Sequence, residues 1–493
     1  MHVRIPQETS RRSNPISIGR SVAARPVLTQ EQVNALNARI IRMTSADTAT
    51  VFVTHTARVV TRFANGRILI TDDGDELEIS ITTLYGTRGG VWTRTNQLDD
   101  TSLRAIVARC EAMARAQMGG ETLLAEPMQQ DHYLPVALWH DATVRAMTTS
   151  RATVVPAIVD EVSRHGLTAA GFVGIMARAQ AVLTKAGIHA YCEETDSEVT
   201  VTARSGSNST GGSQGASSGW AGQAARDWST VDVVDVAHRA AEFALRGRNP
   251  QAVEPGRRTA ILGPAAVAQL LCSFAQHLDA FLTDSGGTGF SKSDGGGNKL
   301  RQRVFDPRIT MRSDPADPDG GYPNYFLVGS ANPQMTWVER GVLTNLAYSV
   351  EYALGRGKMY AEDPDSIRVD GGSSSIDAMI ANCREGIYVN RLSGVELIDL
   401  RSGLMTGVTR DGCFLVKDGK IDRPVKNFRI LDSPFFFLNK LVALGPTARA
   451  PFGYAPPGQD EPNQFTLDWP RRPMIVPPMM VRDFNFSSLA DAV

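Results

Sequence analysis

The chain has 493 residues, of which 42% are hydrophobic and 21% charged, a composition typical of globular proteins. Its 51 basic and 52 acidic residues leave a net charge of −1, so no basic surface for nucleic acid is expected. No run of about 18 apolar residues occurs, which excludes a transmembrane helix. The five cysteines lie far apart and form no CxxC pair, which argues against a disulfide framework and for a reducing compartment. We therefore expect a cytoplasmic protein that binds neither nucleic acid nor membrane.

Residues 1–27 are predicted to be a disordered tail. Arg11 and Arg12 form a twin-arginine pair, which in export signals precedes an apolar stretch of about 7–15 residues. Residues 13–20 are too polar to be that stretch. The pair is therefore interpreted as part of the tail.

Residues 28 to about 118 have the pattern helix, antiparallel sheet, helix. Thr29 and Gln32 predict a capping box at the start of the first helix. Strands are predicted over 49–56, 58–63, 67–70 and 76–84, with turns at Asn65-Gly66 and Asp73-Gly74. The apolar spacing from Leu103 to Met113 then predicts a second helix. This order indicates an α+β fold and not a βαβ series.

The rest of the chain is predicted to complete this domain and to form a second, strand-rich one. Patterning predicts helices over 154–165, 231–245 and 264–282, strands over 198–203 and 258–262, a hairpin over 414–421 and an extended segment over 473–481. We therefore predict an N-terminal α+β domain over 28–250, with a Ser/Gly-rich loop at 205–219, and a C-terminal domain over 258–493.

Common catalytic motifs are not convincingly present. HExxH is absent, and no two histidines lie four residues apart. The glycine loop at 285–293 lacks the spacing of a phosphate loop. Two GxSxG matches, at 211–215 and 215–219, lie inside the Ser/Gly-rich stretch and lack the strand and helix that flank a nucleophile elbow. Motifs alone therefore predict no more than a two-domain α+β protein.

Several short stretches together resemble the TldD/PmbA (TldE) family, the so-called modulators of DNA gyrase. Their order and spacing carry the resemblance, and they occur at 46–47, 62–68, 86–90, 338–343, 386–389, 417–421, 424–427 and 477–483. The resemblance implies two α+β domains, the second built on a curved antiparallel sheet, and assembly into dimers. It also implies that a TldD-type subunit carries zinc on an HExxxH helix plus a cysteine and cleaves unfolded peptides. A PmbA/TldE-type subunit lacks that motif and completes the peptide cleft.

This chain departs from the zinc motif. Aligned on Leu270-Leu271, the first ligand becomes Cys272 and the second is His277, but Ser273 replaces the glutamate. A neutral serine hydroxyl cannot take a proton from zinc-bound water. No cysteine follows Cys413, so a third ligand is also missing. Cys272 and His277 are therefore only weak metal candidates, and no catalytic or cofactor-binding residue is assigned.

The resemblance then predicts a non-catalytic PmbA/TldE-like subunit of a zinc metallopeptidase complex that processes unfolded peptides. The zinc would lie in a TldD-like partner, and none is expected in this chain. Two alternatives stay open. The chain could be a self-sufficient metallopeptidase with an atypical metal site at Cys272 and His277. It could also be a non-enzymatic homodimer that binds peptides.

Overall fold

The computed structural model describes residues 26–86, 88–116, 132–205, 217–326, 329–349, 352–353, 355–358, 360–361, 363–451 and 472–490. Most of the predicted tail, the middle of the Ser/Gly-rich loop and one of the GxSxG matches lie outside these residues. Val27, assigned to the tail by sequence, is buried against Ala57, Ala177 and Ala179. No helix among the described residues is long and apolar enough to cross a membrane.

The N-terminal half is a six-stranded antiparallel sheet with strand order β3-β2-β1-β4-β5-β6. Its strands are β1 (Thr48–Ala64), β2 (Arg67–Tyr85), β3 (Arg88–Thr95), β4 (Thr168–Thr184), β5 (His189–Ser205) and β6 (Ser217–Ala225). The helices are α1 (Gln30–Ile41), α2 (Asp100–Ala116), α3 (Asp141–Arg164) and α4 (Val233–Arg246), with a 3₁₀ turn at Trp228–Thr230. The capping box at Thr29 is confirmed.

Alternate residues of the strands position the helices. Side chains of β1 and β4 that share one face of the sheet pack against α1 and α2 near one end and against α3 and α4 near the other. Val51 contributes to the first cluster and Phe63 to the second. The pairing of α3 with α4 over this face places the two helices side by side.

The long β1–β2 hairpin confirms one predicted turn and contradicts the other. Asn65 and Gly66 both have positive φ, 51° and 69°, as a type I′ turn requires. Asp73-Gly74 is not a turn, because Gly74 pairs with Arg58 inside the continuous ladder of β1 and β2. A glycine is suited to that position, because a Cβ on Gly74 would lie 2.7 Å from Arg58 Nε. The predicted Ser/Gly-rich loop also ends early, because residues 217–219 belong to β6.

The C-terminal half contains two sheets. One consists of β7 (Gly256–Leu262), β12 (Glu385–Asp399), β13 (Leu404–Lys417), β14 (Lys420–Pro424), β15 (Phe428–Asp432), β16 (Leu441–Leu444) and β19 (Met479–Leu489). Because β12 pairs with both β7 and β13, the path β12-β7-β19-β15-β13 closes on itself. The other sheet has the order β10-β9-β8-β11-β18-β17. Its strands are β8 (Met311–Ser313), β9 (Met335–Glu339), β10 (Val342–Leu343), β11 (Ile367–Val369), β17 (Ala448–Arg449) and β18 (Met474–Val476). The α+β class is confirmed, and the pairs β7–β12 and β11–β18 are parallel.

The predicted helix over 264–282 is wrong. It is divided into α5 (Pro264–Leu270), α6 (Phe274–His277) and α7 (Ala280–Asp284), and two further short helices are α8 (Ile376–Ala381) and α9 (Pro434–Phe437). The second break has a tertiary cause, because Leu278 and Ala280 exchange backbone hydrogen bonds of 2.8 Å with Ala347. Asp279 then caps α7 through the amide of Leu282.

Buried polar contacts join the two halves. Arg449 of β17 makes two hydrogen bonds, of 2.8 and 2.6 Å, to the Asp196 carboxylate of β5. Arg226 donates hydrogen bonds to Glu194, which belongs to the same N-terminal half, and to the carbonyl oxygen of Gly321 in the C-terminal half. These contacts fix the N-terminal sheet against the second sheet of the C-terminal half.

Candidate functional site

The two predicted metal candidates lie on different parts of the broken helix. Cys272 lies in the turn between α5 and α6, partly exposed and packed against the main C-terminal core. His277 is the last residue of α6. The two residues therefore do not share the single regular helix on which both were predicted to lie.

His277 lies in a buried aromatic environment. Its side chain is 0% exposed, and neither ring nitrogen has a hydrogen-bond partner. The rings of Phe435, Phe290 and Phe274 surround it, with centroids 4.9, 6.4 and 6.5 Å away. Removal from water lowers the pKa of His277 to about 4, against a small opposing effect of Asp399. The imidazole is therefore neutral near pH 7.

The donors at this position do not fit a catalytic zinc ion. Such an ion takes three protein ligands and a water molecule, whereas the rings nearest His277 are phenylalanines. Among the described residues, no group of three His, Cys, Asp or Glu side chains that could hold a metal includes Cys272 or His277. Ser273, at the position of the general base, is buried and its hydroxyl has no partner. We therefore derive no hydrolytic step from these residues.

Cys413 belongs to the hydrophobic core of the same half. It is 5% exposed and contributes to the cluster that also contains Ile387 and Phe428. Burial raises the pKa of its thiol to about 12, against a weaker effect of the Thr409 hydrogen bond. Because the metal ligand is the thiolate, this cysteine is poorly suited to that role.

A different cluster of metal-binding side chains lies between α3 and α4. Glu161 Oε1 is 3.4 Å from His165 Nε2 and 3.2 Å from His238 Nδ1. The three ligand atoms all lie within 4.8 Å of one another. The hydrogen bond from His238, opposed by partial burial and reinforced by His165 and Arg164, lowers the pKa of Glu161. Its carboxylate is therefore ionised at neutral pH.

Sequence reasoning missed this cluster because its histidines come from helices far apart in the chain. The available signal was weak: Glu161 and His165 are four residues apart, as are His238 and Glu242, so each pair shares a helix face. Only the packing of α3 against α4 brings the two pairs together.

The second half of the chain is similar to a known protein family. Residues 255–488 match the family model described as PmbA/TldA metallopeptidase C-terminal domain. A metalloprotease from Methanothermobacter thermautotrophicus is 25% identical over 168 residues, which cover 32% of this chain and 37% of the relative. The chain matches little more than a third of that relative's length, so the similarity concerns a part of each protein.

Solved structures of low sequence identity share the whole fold. A proposed modulator of DNA gyrase from Thermotoga maritima superposes with a TM-score of 0.77 at 14% identity, over 92% of this chain and 99% of that one. A second proposed modulator, from Bacteroides thetaiotaomicron, gives 0.76 at 16% identity, over 94% and 100%. TldE from Thermococcus kodakarensis gives 0.76 at 14% identity, over 92% and 99%. The fold of these proteins therefore extends over both halves of the chain.

Proposed function

We propose that this chain is a non-catalytic, PmbA/TldE-type subunit of a cytoplasmic peptide-processing metallopeptidase. In this proposal a TldD-type partner supplies the zinc and the general base, and this chain contributes part of the cleft for an unfolded peptide. The observation that carries the proposal is the environment of His277, whose ring is surrounded by phenylalanine rings and whose nitrogens have no hydrogen-bond partner.

The substitution at residue 273 supports the same reading. In a metallopeptidase, a carboxylate beside the metal takes a proton from the bound water and passes it to the leaving amine. Ser273 has no charge with which to do this near pH 7, and its hydroxyl is buried without a partner. A rearrangement that brought Cys272 and His277 onto one ion would still leave residue 273 unable to act as the base.

The proposed role in peptide binding depends on the strand-rich architecture. An extended peptide can add to an exposed sheet edge through main-chain hydrogen bonds, which tolerate many sequences. The N-terminal sheet ends in β3 on one side, and the second C-terminal sheet ends in β17 on one side. Such edges are suited to unfolded peptides of varied sequence.

The test is cleavage of an unfolded, fluorescently labelled casein by the full chain, alone and mixed with a TldD-type subunit that carries HExxxH. We expect cleavage only in the mixture, inhibited by a chelator and absent when the partner's HExxxH glutamate is replaced. The Cys272→Ala variant of this chain should support cleavage as well as the unmodified chain does.

Chelator-sensitive cleavage by the isolated chain that Cys272→Ala abolishes would overturn the proposal and favour a self-sufficient peptidase. Peptide binding by the isolated chain, with no association with the TldD-type subunit in sedimentation, would favour a peptide-binding homodimer instead.

A further inference from the structure

We propose that Glu161, His165 and His238 form a binding site for a divalent transition-metal ion of the zinc type, which links α3 to α4. This site is separate from Cys272 and His277, and it does not depend on the proposed peptidase role. Its ligands would be Glu161 Oε1, His165 Nε2 and His238 Nδ1.

The two helices hold these atoms in place from opposite sides. Glu161 lies in the last turn of α3, and His165 is the residue that caps this helix. Four residues of separation put both side chains on the same face of the helix. His238 projects from the second turn of α4, which packs on α3 through Ile158 and Val236. Two of the three ligands therefore lie on the packed helix pair, and the third lies directly at the end of α3.

Two of the three distances between the ligand atoms are close to those around a tetrahedral ion. Zinc binds histidine nitrogen and carboxylate oxygen at about 2.1 Å, so neighbouring ligand atoms of a tetrahedron lie about 3.4 Å apart. Glu161 Oε1 lies 3.4 Å from one histidine nitrogen and 3.2 Å from the other. The two histidine nitrogens lie within 4.8 Å of each other, so movement of a histidine ring would bring all three atoms onto one ion.

Two further charged side chains lie next to these ligands. Arg164 Nη1 lies 2.8 Å from Glu161 Oε2, which leaves Oε1 for the ion. His238 Nε2 faces Glu242 Oε1 at 3.8 Å, so the ring nitrogen opposite the ligand atom points towards a carboxylate. Carboxylates in this position orient metal-binding histidines and raise their basicity.

Access and donor type fit a borderline transition metal better than calcium or magnesium. The side chains of His165 and His238 are 26% and 47% exposed, whereas that of Glu161 is 10% exposed, so an ion can enter from solvent. Two imidazoles and one carboxylate suit zinc and its neighbours, whereas calcium and magnesium prefer oxygen ligands. Three protein ligands leave a fourth position for water.

The test is titration of the chain, purified without a histidine tag, with Zn²⁺ against a chromophoric chelator, and with Co²⁺ by visible absorption. We expect one ion per chain, a tetrahedral Co²⁺ spectrum and a higher melting temperature with zinc. His238→Ala and His165→Ala should each weaken binding at least 100-fold, and Glu242→Gln should weaken it about tenfold. The exposed His189 supplies the matched control, His189→Ala, which should bind normally.

A hydrogen-bonded histidine–glutamate cluster without a metal is the competing outcome. It would be established by absence of stoichiometric binding, or by unchanged affinity in both His238→Ala and His165→Ala. Binding lost in Cys272→Ala and retained in His238→Ala would place the ion at the other position, which would overturn both this site and the proposed non-catalytic role. Binding retained in Cys272→Ala but lost in His238→Ala would support this site and leave the peptidase question to the cleavage assay.

Discussion

At the scale of single residues, His277 is the most informative side chain of the C-terminal half. A buried polar group without a hydrogen bond lowers the stability of the folded chain. Phe274, Phe290 and Phe435 form the walls of its site, so the imidazole occupies a position suited to a fourth aromatic ring. The sequence predicted this residue only as a metal candidate. Its burial and its ring contacts could not be predicted from a spacing pattern.

His277→Phe is predicted to stabilise the chain, and more so in acid. The pKa of His277 is about 4 in the folded state and 6.5 in its ordinary state, so the unfolded chain binds a proton first as pH falls. The folded state therefore loses stability between pH 6.5 and 4, by about 2 kcal/mol at pH 5. The phenylalanine variant lacks this loss.

The measurement is urea unfolding of both proteins at pH 7.5 and pH 5. The stability difference in favour of His277→Phe should grow by about 2 kcal/mol at the lower pH. Leu271→Ile, a core change without a titrating group, serves as the control, and its effect should be the same at both pH values. A difference for His277→Phe that does not change with pH would contradict the proposed environment.

At the scale of elements, local sequence patterns predicted a segment correctly where its tertiary contacts favour the same conformation. The type I′ turns at Asn65-Gly66 and Asp418-Gly419 were predictable because positive φ is encoded by the residues themselves. The break after α6 was not, because it depends on backbone bonds to Ala347, distant in sequence. The Asp73-Gly74 turn failed for a similar reason, since pairing with β1 keeps β2 extended.

Gly219 is predicted to control how closely β6 approaches α4. A Cβ at this position would lie 2.1 Å from the amide nitrogen of Ala244 and 2.3 Å from the carbonyl oxygen of Ala240. Both atoms belong to helix backbone, which cannot move aside alone. Gly219→Ala is therefore expected to lower the free energy of unfolding by about 2–3 kcal/mol, the cost of overpacking.

Chemical unfolding of Gly219→Ala measures this cost, and Gly296→Ala is the matched control. At Gly296 the nearest atom to an added Cβ is the flexible carboxylate of Asp294, at 3.1 Å, so a change below about 1 kcal/mol is expected. Because α4 also carries His238, a displaced helix should weaken zinc binding as well. Equal free energies of unfolding for the two variants would show that α4 moves away from β6 without loss of stability.

At the scale of the whole molecule, the proposed metal site and the join between the halves both depend on tertiary packing. The α+β class followed from the order of helix and strand patterns. The Glu161 cluster could not be predicted, because no local rule states which helices become neighbours. The closed path of strands in the C-terminal half has the same origin, since β12 pairs with partners on both sides of it in sequence.

The Arg449–Asp196 pair is predicted to couple the stability of the two halves. Its side chains are 8% and 5% exposed, so removal of one partner leaves a buried charge uncompensated. Arg449→Met is expected to cost about 3–5 kcal/mol. Asp196→Asn should cost a similar amount, whereas the double variant should cost less than the sum of the two, because neither charge then remains alone.

A double-mutant cycle by equilibrium unfolding measures the coupling. The exposed pair Arg239–Asp235, with side chains 42% and 52% exposed, is the control, and Asp235→Asn should change stability by less than about 1 kcal/mol. If the halves depend on the buried pair, hydrogen exchange in Arg449→Met should become faster in β5 and β17 together. Additive single effects, with faster exchange in only one half, would mean that each half is stable without this contact.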